Sequence, residues 1–241
     1  MLNSDNPKLV GDAYKQGMLS GRADRLARSA FQNAVARILK PGATIFDFGA
    51  GTGIDARFYA DRGYRVIAYD QDPQMCEAFR RDCGHALASN QVELVERDYR
   101  SFLACYTALP GHQVDLVTAN FAPLNLIENV NELFGKLHAL TVPRGRILAS
   151  VLSPTFLGDM RYRWWWRNRT QLRRQGHYTV GGVWTVTRRV PTDFAALAAP
   201  YFGLAGVGRG LPGSPLRRAG SPLLLLPLAT SRYMFLLFEK S

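Results

Sequence analysis

An apolar run that ends in three alternating glycines, TIFDFGAGTG from Thr44 to Gly53, leaves few folds open to this chain. Thr44–Phe48 reads as a strand buried on both faces, and the residues from Ile54 onward read as a helix. Between them, Gly49, Gly51 and Gly53 let the backbone turn sharply and come close to a ligand with no Cβ in the way. The helix that follows offers N–H groups without intrahelical partners to a polar ligand end. Such loops serve parallel sheets, whose ligands sit outside the carboxyl ends of the strands.

The flanking sequence supplies that sheet. Residues 22–40 form an amphipathic helical pattern, with Phe31, Val35, Ile38 and Leu39 on one face and Arg25, Arg28 and Arg37 on others. Further strand-like runs are Arg65–Tyr69, Val92–Val95, Val114–Ala119 and Arg146–Leu152, separated by helical patterns at 54–62, 73–88 and 127–140. Strands alternating with helices imply βαβ units. After Ser153 the pattern changes. His177–Val180 and Val183–Thr187 flank a Gly-Gly pair as in a β-hairpin. Asp193–Pro200 suggests a helix, Gly203–Val207 and Tyr233–Phe238 two closing strands, and 208–222 a loop. The expected fold is α/β: a seven-stranded, mostly parallel Rossmann-like sheet with helices on both faces, finished by an antiparallel pair. Its segments are an N-terminal helical part (1–40), a nucleoside-binding core (41–153), an insertion (154–192) and the closing helix and strands (193–241).

Acids stand where the second and third strands end. Asp70 lies seventeen residues past Gly53, and its ionised carboxylate has two oxygens to accept from a pair of ribose hydroxyls. Asp98, followed by Tyr99, closes the third strand. With the glycine loop these acids converge on one rim of the sheet. A dinucleotide fingerprint would place a third glycine at position 54, which is Ile54.

Residues of about 40–152 resemble the core of class I S-adenosylmethionine-dependent methyltransferases. FDFGAGTG (Phe46–Gly53) resembles that family's first motif and VIAYDQDPQM (Val66–Met75) its second-strand segment. ERDY (Glu96–Tyr99) is similar to the region near the adenine, and VDLVTANF (Val114–Phe121) to the fourth strand beside the methyl donor. The resemblance implies S-adenosylmethionine as cofactor. It further implies that Gly49, Gly51 and Gly53 line the methionine part, with Asp47 orienting it through backbone or water contacts. Asp70 would hold the ribose and Asp98 the adenine amino group, with Gln71 and Met75 flanking the adenine. Asn120 would border the sulfonium. Tyr14 stands where relatives place an aromatic over the site, and equally where a helix would pack one. Amino-methylating nucleic-acid enzymes of this fold carry an Asp/Asn-Pro-Pro-aromatic tetrad after the fourth strand. NFAP (Asn120–Pro123) departs from it, which disfavours base N-methylation.

The acceptor side is less sharply drawn. The chain carries +11 formal charge, and residues 159–190 hold eight arginines against one acid, Asp159, together with all four tryptophans. Such a cap suits an aromatic, apolar or anionic small molecule, with His177, Tyr178 and Arg188 as candidate substrate contacts. As a plain strand of a packed cap, the same residues would have no contact with substrate. No residue is marked by its motif as a general base, and no metal cluster is expected. The basic aromatic surface equally suits acidic lipid headgroups, whereas no recognisable nucleic-acid module is present. RNA or protein methylation, and a non-catalytic partner that binds the cofactor or its demethylated product, stay open as alternatives. Three cysteines and no apolar N-terminal segment point to the cytoplasm.

Overall fold

A computed structural model describes residues 21–106, 113–180, 184–219 and 231–241. Tyr14 and the Gly181-Gly182 turn lie outside them. β1 (Thr44–Phe48) sits mid-sheet because its side chains enter two different cores. Ile45 packs with Phe31 and Val35 of α1 (Arg22–Ile38) and Tyr59 of α2 (Ile54–Ala60). Phe46 and Phe48 point the other way, into a cluster with Phe102, Leu133 and Phe134. The same alternation runs through β2 (Arg65–Asp70), where Val66 and Ala68 join the first core and Ile67 and Tyr69 the second. A strand buried on both faces needs helices on both, and the chain supplies them. α3 (Pro73–Asp82) packs on the first face, and α5 (Tyr99–Cys105), α6 (Val130–Leu140) and α8 (Pro191–Ala198) on the second.

The helical pattern at 73–88 divides at Cys83 into α3 and the short α4 (Gly84–Ala88). Asp72 caps α3, accepting from the Gln74 and Met75 amides, and Pro73 opens its first turn. β3 (Val92–Glu96), β4 (Val114–Ala119) and β5 (Thr141–Leu152) complete the parallel half. α7 (Arg163–Gln175), β6 (His177–Val180) and β7 (Trp184–Thr187) make up the insertion, with the strands paired antiparallel. β8 (Phe202–Arg209), β9 (Arg217–Arg218) and β10 (Tyr233–Lys240) finish the main sheet.

The strand order is β3-β2-β1-β4-β5-β10-β8-β9, eight strands rather than seven. β9 is the extra one. It comes from the 208–222 stretch expected to be loop, where Arg217 and Arg218 pair with Val207 and Gly206 along the open edge of β8. Its glycines and prolines hide so short an edge strand. The expected antiparallel finish is present, with β10 between β5 and β8. From β1 the chain winds outward through β2 and β3, then returns to place β4 on the other flank of β1. That reversal opens a crevice at the carboxyl ends of β1 and β4, where ligands of open α/β sheets bind.

Candidate functional site

The crevice between β1 and β4 is lined by Asp47, Gly49, Gly51 and Thr52 from the first strand and its loop, and Asn120 and Phe121 from the fourth. Arg28 of α1 and Asp55 of α2 close its side. The glycine loop is shaped by φ values of +74° at Gly49, +58° at Gly51 and +81° at Gly53, which glycine adopts without strain. A Cβ on Gly49 would stand 2.9 Å from Pro123. At Gly53 it would meet Cys83 Sγ at 2.6 Å and the Phe79 ring at 2.8 Å. Gly49 lets Pro123 approach the loop, Gly49 and Gly51 line the crevice, and Gly53 lets α2 seat against α3.

Asp70 binds the loop as well as ending β2. Its carboxylate accepts from the Gly51 amide at 2.7 Å and the Asp72 amide at 2.9 Å. Each oxygen keeps a further lone-pair direction for a ligand hydroxyl. Burial pushes its acidity toward the protonated form, opposed by these amide bonds. Met75 is half-buried and Gln71 exposed on the turn just beyond. Asp98 is exposed, caps α5 by accepting from the Ser101 amide, and is held below the usual carboxylate range by the Ser101 side chain and amide. Tyr99 packs edge-on against Phe48, the ring centroids 6.5 Å apart.

Asp47 stands apart from the other acids of the crevice. It is 2 % exposed; one oxygen accepts from the Thr118 hydroxyl at 2.7 Å, and the other has no hydrogen-bond partner. Burial first, and the neighbouring Asp55 carboxylate second, push its pKa up to about 7. A buried carboxylate oxygen left without a donor is costly. In this crevice it fits a cationic ligand group. The α-ammonium and sulfonium of S-adenosylmethionine are such groups, so the residues present fit the cofactor.

Arg28, Gln32 and Asp55, unlike Asn120, are not marked by the sequence as part of the site. The Arg28 guanidinium donates to Asp55 Oδ2, Gln32 Nε2 donates to Asp55 Oδ1 at 2.7 Å, and Asn120 Nδ2 donates to Asp55 Oδ2 at 3.0 Å. Asn120 in turn accepts from the Phe121 amide. Arg28 lies over the Phe121 ring, 4.5 Å from its centroid. Phe121 and Ala122 hold φ near +61° and +68°, a conformation that costs an L-residue roughly 1–2 kcal/mol each. Strain of this kind concentrates at functional sites. Asp55 reads in sequence as an ordinary first-turn acid, and Arg28 as a solvent-facing residue. Only the packing of α1 across α2 brings them together, 27 positions apart.

The substrate candidates lie within the insertion. Tyr178 is 2 % exposed and stacked on Trp164, with ring centroids 4.8 Å apart. Arg188 pairs with Asp159 at 2.7 Å, both side chains nearly buried, and donates to the Ser153 carbonyl. His177 is half-buried, its Nδ1 3.2 Å from the Gln175 carbonyl. Tyr178 and Arg188 thus hold a small core of Leu152, Trp164, Val186 and Ala122, the last directly following Phe121 in the chain.

Comparison with known proteins agrees with this geometry. Residues 45–145 match the family described as "Methyltransferase domain". The malonyl-[acyl-carrier protein] O-methyltransferase of Serratia marcescens is 28% identical over 125 residues, 52% of this chain and 44% of that protein. The chain thus spans less than half the length of that curated relative. Among solved structures, the CcbJ methyltransferase of Streptomyces caelestis superposes with a TM-score of 0.65 at 16% identity, covering 100% of this chain and 99% of that one. The Burkholderia thailandensis 1,6-didemethyltoxoflavin-N1-methyltransferase, solved with its substrate and S-adenosylhomocysteine, gives 0.58 at 18% identity over 98% of this chain and 93% of that one. When bound, S-adenosylmethionine supplies an already activated methyl carbon, so the protein's task is alignment. Over residues 45–145, then, the chain matches a methyltransferase-domain family, within the Rossmann-like fold that it shares with S-adenosylmethionine-dependent methyltransferases.

Proposed function

We propose that the chain transfers a methyl group from S-adenosylmethionine to a small or lipid-like acceptor that is aromatic, apolar or anionic. One observation carries this reading. Across the crevice from the glycine loop stands Phe121, edge-on to Tyr233 with centroids 5.3 Å apart and beneath the Arg28 guanidinium. An aromatic wall beneath a guanidinium that Asp55 already pairs suits a flat or apolar molecule. The O-methyltransferase relative, named for a malonyl group on a carrier protein, supports an acid among the acceptors. Gly49 and Gly51 let the donor lie close to the backbone, Asp47 and Asn120 hold its charged end, and Asp70 takes the ribose. Tyr178, His177 and Arg188 build the cap above, with Arg188 acting through its grip on Asp159 and the end of β5.

The test is turnover on mixed acceptors. Protein, labelled S-adenosylmethionine and separate low-mass, RNA and protein fractions of a cell extract are incubated. Mass spectrometry then follows gain of one methyl mass against S-adenosylhomocysteine formed. Methylation confined to the low-mass or lipid fraction is expected. Label entering only RNA or protein would replace this acceptor class. Tight cofactor binding with no methylated product in any fraction would make the chain a binding partner rather than an enzyme.

A further inference from the structure

α7 turns only one side toward the rest of the protein. Trp164, Asn168 and Leu172, spaced four residues apart, face inward: Trp164 is 4 % exposed, and Leu172 packs against the same small core. The opposite side centres on Trp166, 49% exposed. Around it on successive turns stand Arg163, Arg167, Arg169, Arg173 and Arg174, all exposed. Trp166 is not a loose side chain. Its indole N–H donates to the Met160 carbonyl at 2.7 Å, and Arg169 lies 5.5 Å from its ring. That bond brings beside it the preceding turn, Leu157–Arg161, whose Leu157 is 62% and Met160 41% exposed. Of five exposed large hydrophobic residues among those described, three therefore share one spot, and that spot is ringed by arginine. No acid occurs in the sequence between Met160 and Thr192.

We propose that this face docks on an anionic lipid surface. A planar field of phosphates answers a helix face that carries five exposed arginines. Trp, Leu and Met at its centre suit shallow insertion at the boundary between headgroups and acyl chains. Leu157 and Met160 also weigh against single-stranded nucleic acid, which asks for aromatic platforms rather than aliphatic ones. Among the described residues no helix is long and apolar enough to cross a membrane, so the contact is peripheral. The apolar side of α7 is already used inside the protein. Attraction thus comes from the arginines, with the three apolar residues as anchors. The proposal concerns binding alone and stands whether or not the acceptor assignment does.

Co-sedimentation of the full chain with vesicles tests it. Vesicles of phosphatidylcholine alone are compared with vesicles containing phosphatidylglycerol, at low and physiological salt. Binding to the anionic vesicles only is expected. The double variant Arg169→Glu/Arg173→Glu should lose more than about tenfold in partitioning, and Leu157→Ser/Trp166→Ala severalfold, with melting temperatures unchanged. Arg217→Glu/Arg218→Glu, on the exposed edge strand β9, serves as the charge control and should keep most of the binding. Equal binding to neutral vesicles, no binding at physiological salt, or equal losses from the β9 variant would each overturn the assignment. So would RNA binding at physiological salt that outcompetes the vesicles.

Discussion

Asp47 shows how one side chain sets the conditions under which the site works. An acid whose folded pKa is raised to about 7, against an unfolded value near 3.8, holds a proton in the native state that the unfolded chain has lost. The ligand-free fold therefore loses stability as pH rises between about 4 and 7. Ligand binding has the opposite sign. A cationic cofactor prefers the carboxylate, so affinity is full above pH 7 and falls as pH drops through that value. One unit below the pKa about nine-tenths of Asp47 is protonated. S-adenosylhomocysteine, titrated calorimetrically, should accordingly bind roughly tenfold more weakly at pH 6 than at pH 8. Asp47→Asn should bind more weakly at pH 8, by an amount set by one charged hydrogen bond, about 1.5–3 kcal/mol, with the pH slope gone. A slope that survives in this variant would place the titrating group elsewhere.

At the scale of elements, the parallel half of the sheet was legible because its strands are largely apolar runs, followed by glycine at β1 and by acids at β2 and β3. β1, β4 and the rim position of Asp70 came out as the periodicity indicates. Arg28, Gln32 and Asp55 were not legible: their contact depends on how α1 crosses α2, which no local pattern encodes. α7 escaped notice because its arginines outnumber its apolar residues, so no clean stripe marks its buried face. What holds that insertion down is the nearly buried Arg188–Asp159 pair, with Arg188 also donating to Ser153 at the end of β5. Removing one partner strands the other charge, at a cost of about 3–5 kcal/mol. Asp159→Asn should therefore loosen the insertion and speed tryptic cleavage among the α7 arginines, while the core keeps its affinity for S-adenosylhomocysteine. Replacing both partners with apolar residues, Asp159→Leu/Arg188→Met, should restore much of the protection, since a buried pair is often no more stable than a well-packed apolar one. Unchanged digestion of Asp159→Asn would show that the Trp164–Tyr178 stack alone secures the insertion.

For the molecule as a whole, the crevice draws on parts far apart in the chain. Arg28 comes from α1, Asp47 from β1, Asp55 from α2, and Asn120 and Phe121 from the turn after β4. α1 also plugs the first core with Phe31 and Val35, both fully buried, and Phe31 meets Phe235 of β10 edge-on. A ligand in the crevice thus bridges segments that unfolding separates, and its binding energy adds to global stability. At a hundred times its dissociation constant a ligand adds about 2.7 kcal/mol. In a chain of this size that corresponds to a rise in melting temperature of roughly 5–10 °C. S-adenosylmethionine and S-adenosylhomocysteine should each produce such a rise by scanning calorimetry at pH 8, and a smaller one at pH 6, where Asp47 is largely protonated. NAD should produce none, because the loop carries Ile54 where a dinucleotide site needs glycine. A rise with NAD and none with the sulfur nucleosides would contradict the cofactor assignment. A rise equal at both pH values would leave the cofactor in place and remove Asp47 as the residue that senses it.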